Sequence, residues 1–226
     1  MKFEMFYTDF KESLQRSSDR GICVDIDDTL SATNHYFAQR YCALFGSPDG
    51  QSLEETIEKY RYVENVPFWC NVIGRENIIK NFQSDEHLYN CPPISKARDI
   101  LTQINLILPV KFYITGRPQR FYEVTSRWLK KENFPKRHIV MGLEKNLLDE
   151  MELSGSNEWK AKLLEFLYPE IIGIVEDNSE ILNFLSFGYK GIIFLHSHKD
   201  LSVHHPSAVA CKDWEDVRKE IERKRV

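Results

Sequence analysis

The sequence predicts an α/β protein: a doubly wound parallel sheet with a small α-helical insert. Short apolar runs near residues 21–26, 110–115 and 171–175 each stop abruptly in polar residues. Buried strands of a parallel sheet read this way, and they deliver their functional groups at their carboxyl ends. Segments of helical spacing alternate with these runs, which argues for a parallel, doubly wound arrangement. About eighty residues separate Asp27 from the second strand, far more than a crossover helix requires.

Taken in order, Phe3, Phe6, Tyr7, Phe10 and Leu14 recur at helical spacing and predict a helix over 3–16. Its polar face is not strongly basic, so it is expected to pack on the core and not to lie on a membrane. The first strand covers 21–26. A helix over 34–45 closes at Gly46, and Ser52 with Glu55 has the capping-box spacing that starts another, running to about 63. Residues 65–70, with Pro67, break the pattern; a third helix covers 75–88, and Cys91-Pro92-Pro93 ends the segment. The insert is therefore placed at 32–93, between core segments 1–31 and 94–226. A core helix follows at 94–106, a strand at 110–115 and a helix marked by Phe121, Val124, Trp128 and Leu129. A short strand begins at His138, and a helix is marked by Trp159, Leu163, Phe166 and Leu167. A strand at 171–175, a helix at 180–187 stopped by Gly188, a strand at 191–195 and a last helix with Trp214, Val217 and Ile221 complete the chain.

The chemistry-bearing residues sit where the apolar runs end. Asp25 and Asp27 are spaced i, i+2 at the end of the first strand. Two carboxylates so close repel unless a cation joins them, and Mg²⁺ favours one or two carboxylates plus a phosphate. One aspartate is then placed to act as nucleophile and the other as proton donor and acceptor. Taken alone, the pair is equally an acidic turn with Asp28 and Thr29 as turn residues. At the second run's end, Thr115, Gly116, Arg117 and Pro118 suggest a hydroxyl donor, a close backbone approach and a helix start, whose N–H groups attract anions. Lys160 lies near a predicted helix start, an unfavourable place for a cation unless phosphate and carboxylates are nearby. Lys162 and Lys145 are rival positions. The third run ends in Glu176, Asp177 and Asn178, where Asp177 is placed to complete a metal shell or simply to cap the next helix.

Together these segments resemble the haloacid dehalogenase-like (HAD) phosphohydrolase superfamily. Asp25-Ile26-Asp27-Asp28-Thr29-Leu30 resembles its first motif, Thr115-Gly116-Arg117 the second, Lys160 the third and Glu176-Asp177 the fourth. The resemblance covers roughly residues 20–30 and 94–200, and the helical insert resembles a cap placed after the first motif. It implies a HAD-type, Rossmann-like core and a phosphatase. Asp25 is implied as the nucleophile that forms an aspartyl-phosphate, and Asp27 as the acid that protonates the leaving oxygen and then activates water. Thr115, Gly116 and Lys160 are implied as phosphate binders. The Asp25 carboxylate, the Asp27 backbone carbonyl and Asp177 are implied as Mg²⁺ ligands. Asp28 stands where many relatives have Gly, a variant that also occurs in the superfamily.

Composition bounds the rest. Over 226 residues, 42% hydrophobic and 28% charged describes a globular chain, and a net charge of −4 offers no basic excess for long nucleic acid. Lys130, Lys131, Lys136 and Arg137 are scattered candidates for a basic groove. The five cysteines, Cys23, Cys42, Cys70, Cys91 and Cys211, form no C-x-x-C pair, which favours reduced thiols in a cytoplasmic protein. The N-terminus lacks an apolar signal block, and no run reaches the roughly 20 apolar residues that span a bilayer. A histidine group, His196, His198, His204 and His205, lacks zinc-site spacing.

In the insert, Tyr36, Phe37, Tyr41, Tyr62, Phe68, Trp69 and Arg75 are candidates for substrate contact, with Phe68 and Trp69 first because they sit at a predicted helix break. Arg117 is placed to reach the substrate or the insert, or is a surface arginine, and Glu176 is placed to orient a ligand. An aromatic wall suits a nucleobase. The expected activity is hydrolysis of a small phosphorylated metabolite, with a (deoxy)nucleoside monophosphate favoured through a weaker resemblance to 5′-nucleotidases. The alternatives are a nucleic-acid terminal phosphatase and a non-catalytic binding module on the same fold.

Overall fold

The computed structural model describes residues 2–17, 19–82, 84–198 and 205–224. Helix α1 (Phe3–Gln15) leads into strand β1 (Gly21–Asp25). Five helices follow: α2 (Thr33–Phe45), α3 (Leu53–Tyr60), α4 (Pro67–Ile73), α5 (Arg75–Phe82) and α6 (Asp85–Asn90). The chain then alternates through α7 (Ala97–Ile107), β2 (Val110–Pro118), α8 (Tyr122–Lys131), β3 (His138–Gly142), α9 (Lys145–Glu150), α10 (Ser156–Leu167) and β4 (Ile171–Glu176). It ends with β5 (Ile192–His196), β6 (Ala208–Cys211) and α11 (Trp214–Lys224).

The six strands are all parallel in the order β3-β2-β1-β4-β5-β6, which puts β1 in the middle beside β2 and β4. Successive side chains of β1 serve opposite faces, as a strand's period of two requires. Ile22 and Val24 pack with Tyr113, Val175, Trp128 and Trp214 on one face, while Cys23 packs with Phe112, Ile174, Trp159 and Tyr7 on the other. Both faces are covered by helices, so every residue of β1 and β4 is buried, the mark of a central parallel strand. The order also changes direction at β1: the chain passes outward to β2 and β3, then returns to β4 on the other side. Ligands bind in the crevice at such a switch point.

The helical segment between β1 and α7 leaves and rejoins the core at one neck. Ala32 N–H donates to the Pro92 carbonyl at 2.8 Å, Ile94 N–H donates to the Leu30 carbonyl at 2.7 Å, and Ser31 bridges Pro93. Its helices bury a separate cluster around Phe37, Tyr41, Val63, Val66, Trp69 and Ile78. Ser52 and Glu55 form the capping box that the spacing predicts.

Several boundaries differ from the sequence reading. The third insert helix is broken into α5 and α6, because Ser84 caps a new helix by accepting the His87 N–H at 3.2 Å. Pro67 opens α4 at a position where its missing N–H costs nothing. Strand β2 runs on through Pro118, and the helix start comes just after it, as a 3₁₀ turn at Gln119–Phe121 that leads into α8. Beyond Asp25, β1 no longer needs a ladder partner, and Pro118 pairs with Gly142 of β3 past an irregularity in the register. The segment at 180–187 forms only a 3₁₀ turn, Ser179–Asn183, with the Asn178 side chain accepting the Glu180 N–H at 3.0 Å. Helix α9 and edge strand β6 are too short for the periodicity argument to find. No helix among the described residues is long and apolar enough to cross a membrane. All five cysteines are free thiols.

Trp69 is wholly buried at the centre of the insert, with its indole N–H on the Gly46 carbonyl at 3.1 Å. Trp69→Ala should cost about 3–5 kcal/mol of stability in urea unfolding followed by circular dichroism. An unchanged midpoint would mean that the insert does not depend on this packing.

Candidate active site

The carboxyl ends of β1, β2 and β4 and the first turns of α10 converge beneath the helical insert. They enclose a cavity of about 290 Å³ lined by, among others, Asp25, Asp27, Gly116, Lys160, Glu176 and Asp177. Asp25 is the last residue of β1 and Glu176 the last of β4, so adjacent strands bring two acids to one edge. Lys160, one turn into α10, closes the gap. Its Nζ donates to Asp25 Oδ1 at 2.6 Å and to Glu176 Oε2 at 2.7 Å, with all three side chains buried. Lys162 is half-exposed on Glu158 at 3.4 Å, and Lys145 is exposed at the start of α9. Neither rival reaches the acids.

Asp25, Glu176 and Asp177 form a buried carboxylate cluster whose oxygens lie within 4.8 Å of one another. Burial, reinforced by the charge of Glu176, pushes the Asp25 carboxyl well above its usual range despite Lys160. Burial does the same to Asp177, with Glu176, Asp28 and Asp25 adding to it. The opposite holds for the lysine: desolvation alone would lower it, but Asp25 and Glu176 outweigh that and keep it charged. A set of three buried oxygen donors facing one cation is short of positive charge. That donor chemistry fits a hard divalent ion such as Mg²⁺. Asp25 and Asp177 are the carboxylates placed to hold it, with Glu176 adjacent.

Asp27 belongs to a second network. Arg117 grips it in bidentate fashion, Nη2 to Oδ1 at 2.7 Å and Nε to Oδ2 at 2.9 Å. Thr33 adds a hydroxyl at 2.8 Å and Thr115 another at 3.2 Å. Burial works to raise the Asp27 carboxyl, but the guanidinium and these donors win and hold it below its ordinary value. Arg117, only 6% exposed, also donates to Thr125 at 3.1 Å. It is thus neither a surface arginine nor a residue reaching the insert, but the partner of Asp27. The Asp27 carboxylate accordingly stands outside the metal-type cluster.

Thr115 is wholly buried, does not line the cavity and gives its hydroxyl to Asp27. Gly116 does line it, but on a strand and not at a helix start. The helix N-terminus facing the cavity is that of α10, where Ser156 and Asn157 join the lining. Its unpaired N–H groups supply the partial positive charge that the sequence reading had assigned to residues after Pro118. The adjacency of Ser156 and Asn157 to Lys160 was the available signal. Asp28 sits at φ 55, in the left-handed region that glycine adopts most easily, and its Oδ1 accepts the Asn34 N–H at 2.7 Å.

Phe68 and Trp69 are not in the cavity. Trp69 is core of the insert, and Phe68 lies on the outer side of α4, 36% exposed. The aromatic rings that do line it are Tyr62 and Phe121. The sequence places Tyr62 among the aromatic candidates but ranks Phe68 and Trp69 above it and runs the helix to about 63; α3 in fact ends at Tyr60, and Tyr62 lies in the turn beyond it, facing the cavity. Arg61 at φ 62 turns the chain there; its guanidinium bonds to His198 Nε2 at 2.8 Å, and Tyr62 donates to Asp177 at 3.4 Å. His198 is therefore tied to the insert, and His196 stacks on Trp214. His204 lies outside the described residues.

The fold has counterparts among solved structures. The chain has the HAD hydrolase fold. A HAD family hydrolase from Deinococcus radiodurans with bound phosphate and sodium aligns over 92% of this chain and 97% of its own, at TM-score 0.55 and 12% identity. A dehalogenase aligns over 90% and 97%, at TM-score 0.57 and 9% identity. The Bacillus subtilis protein YfnB bound to magnesium aligns over 90% and 100%, at TM-score 0.50 and 11% identity. No protein-family model and no curated protein sequence matches the chain. At these identities the HAD likeness speaks for the fold.

If the carboxylate cluster holds Mg²⁺, the ion should raise the melting temperature, since a ligand that binds only the folded state stabilises it. Asp25 and Asp177 both titrate above their usual range. Protons should therefore compete with the ion, and the shift should shrink as the pH falls. Scanning calorimetry with and without a chelator measures it. A shift of the same size in Asp177→Asn would count against the site.

Proposed function

We propose that the chain is a Mg²⁺-dependent phosphomonoester hydrolase that works through an aspartyl-phosphate at Asp25 on a small phosphorylated metabolite. The observation that carries this reading is the pairing of two differently held aspartates at one strand end. Asp25 sits in a cationic and metal-type environment with Lys160 on one oxygen. Asp27 lies two residues on, in a separate polar network that leaves it about a third exposed at 32%. A dehalogenase needs no such second acid, so Asp27 favours phosphate-ester chemistry. The bound phosphate of the Deinococcus structure and the magnesium of YfnB accord with this, while the dehalogenase neighbour shares the fold alone.

In the proposed reaction the free carboxylate oxygen of Asp25 attacks phosphorus and the ester P–O bond breaks. Asp27, in its acid form, delivers its proton to the departing oxygen. The Asp27 carboxylate then takes a proton from water, whose oxygen attacks the phosphoryl group, and inorganic phosphate leaves with Asp25 regenerated. Lys160, the N–H groups at the start of α10 and Gly116 surround the phosphoryl oxygens. Bound Mg²⁺ supplies charge neutralisation for a phosphate approaching a carboxylate. Phosphoryl transfer asks mainly for such positioning and charge stabilisation. Arg117 holds Asp27 as an anion in the free protein, and a phosphate dianion beside it opposes that hold, which favours the proton at the moment it is needed.

We further read residues 32–93 as the cap and residues 1–31 and 94–226 as the catalytic core. A cavity of about 290 Å³ suits a small metabolite. With Phe68 and Trp69 outside it, the aromatic argument for a nucleotide rests on Tyr62 and Phe121. None of Lys130, Lys131, Lys136 and Arg137 lines this cavity; Lys130, Lys136 and Arg137 surround a different one, around Phe134 and Ile139. A nucleic-acid end is correspondingly disfavoured as substrate.

Purified protein with Mg²⁺ should release phosphate from p-nitrophenyl phosphate and from alkyl phosphates, and Asp25→Asn should lose this activity by a factor of roughly a thousand or more while keeping its circular dichroism. Turnover surviving in that variant would sink the mechanism. Arg117→Met should raise the Asp27 pKa, because an opposing cation is lost. The alkaline limb of kcat on an alkyl phosphate should then move up by about one pH unit. A limb that stays in place would show that Asp27 is not the acid.

A further inference from the structure

The cavity wall holds more acidic than basic side chains, and one of the acids, Glu64, has no part in the proposed chemistry. Among the described residues six carboxyl groups line it, Asp25, Asp27, Asp28, Glu64, Glu176 and Asp177, against two cations, Lys160 and Arg117. Both cations are already engaged, Lys160 by Asp25 and Glu176 and Arg117 by Asp27. A divalent ion and a phosphate dianion cancel one another, so together they leave this excess where it was. The remainder faces whatever the phosphate is attached to.

The insert narrows the question to one side chain. It gives the cavity four polar residues, Thr33, Asn34, Tyr62 and Glu64. Thr33 spends its hydroxyl on Asp27 at 2.8 Å. Asn34 is used at both ends: its side-chain oxygen takes the Val63 N–H at 2.9 Å, and its amide donates to the Arg61 carbonyl. The Tyr62 hydroxyl accepts from Arg61 Nε at 3.1 Å and donates to Asp177 at 3.4 Å. The half-buried Glu64 carboxylate has neither a hydrogen bond nor an ion pair among the described residues. It stands on the short turn Val63–Asn65, pinned by Val63 to Asn34 and by Asn65 N–H to the Tyr62 carbonyl at 3.0 Å. A carboxylate held on a turn in the cavity wall without a partner of its own is placed to meet a cation. Among the described residues both cations of the cavity wall are taken, so the partner that fits is one the ligand brings.

We propose that Glu64 determines substrate choice by pairing with an ammonium group on the leaving alcohol, so that the substrate is a phosphate monoester of an amino alcohol. This rests on the phosphomonoesterase reading above. Leu88 and Phe121, apolar residues of the same cavity wall, suit a short hydrocarbon spacer between the two charges.

The test compares aminoethyl and aminopropyl phosphates with hydroxyethyl and hydroxypropyl phosphates, using p-nitrophenyl phosphate as a general substrate. In the wild type with Mg²⁺, kcat/KM for the better amine should exceed that of its hydroxyl counterpart roughly tenfold or more, as a charge-assisted hydrogen bond implies. Glu64→Gln should bring that ratio close to one, and Glu64→Asp, which keeps the charge, should retain part of it. Equal rates for amine and hydroxyl esters in the wild type, or a ratio that survives in Glu64→Gln, would overturn the proposal. Turnover of p-nitrophenyl phosphate in the same samples would leave the hydrolase reading standing. If no ester is turned over, calorimetric binding of the same alkyl phosphates reads the preference directly. A preference for the amines that depends on Glu64 would then support the subsite and defeat only the hydrolase reading, while no preference would defeat both.

Discussion

The Lys160 ammonium between Asp25 and Glu176 is the interaction on which the site depends. It joins α10 to the ends of two adjacent strands, in a place where none of the three charges is stable alone. A buried ion pair gains little over a good apolar contact, but removing one partner strands the others and costs several kcal/mol. The triad therefore fixes the geometry of the crevice more than it adds to overall stability. It also leaves the acid cluster still short of positive charge.

Around the triad the structure separates two carboxylates that are only two residues apart. One is pushed toward its neutral form by burial and by Glu176; the other is held as an anion by Arg117. Adjacent titratable groups with environments that pull them apart can take distinct chemical roles. The separation is possible because the strand ends at Asp25. The chain past that point turns through Asp28 at positive φ and brings Thr33 back onto Asp27. Gly142 contributes from a distance: a Cβ there would come within 2.5 Å of the Gly116 carbonyl, so the close approach of β3 to the end of β2 needs glycine.

The core was largely legible from residue pattern. Apolar runs ending in acids gave β1 and β4 and their exposed edge, and the helical spacing of α1, α7, α8, α10 and α11 gave the layers. What periodicity could not reach were elements too short to show a period, α9 and β6, and the strand continuation through Pro118. That continuation depends on β1 having ended and on β3 being there to pair with. In the site, Asp25, Asp27, Lys160, Glu176 and Asp177 were visible as residues, but the grip of Arg117 on Asp27 and the position of the α10 N-terminus were not. The insert was the least legible part. Phe68 and Trp69 looked like a ligand wall because they sit at a break in the pattern. They proved to be outer face and core, since seven apolar residues of the insert must first bury one another.

The sequence by itself determined the class of fold and the chemical inventory at the strand ends, because both follow from local order: apolar period, strand length and the residues that interrupt them. Which of those residues meet was decided only by tertiary structure. Residues as far apart as Asp27 and Arg117, or Glu64 and Asp28, come together through the neck at Ser31 and Pro93 and through the register of three strands. The cavity wall is made of turns, and turns carry no period from which their partners can be read.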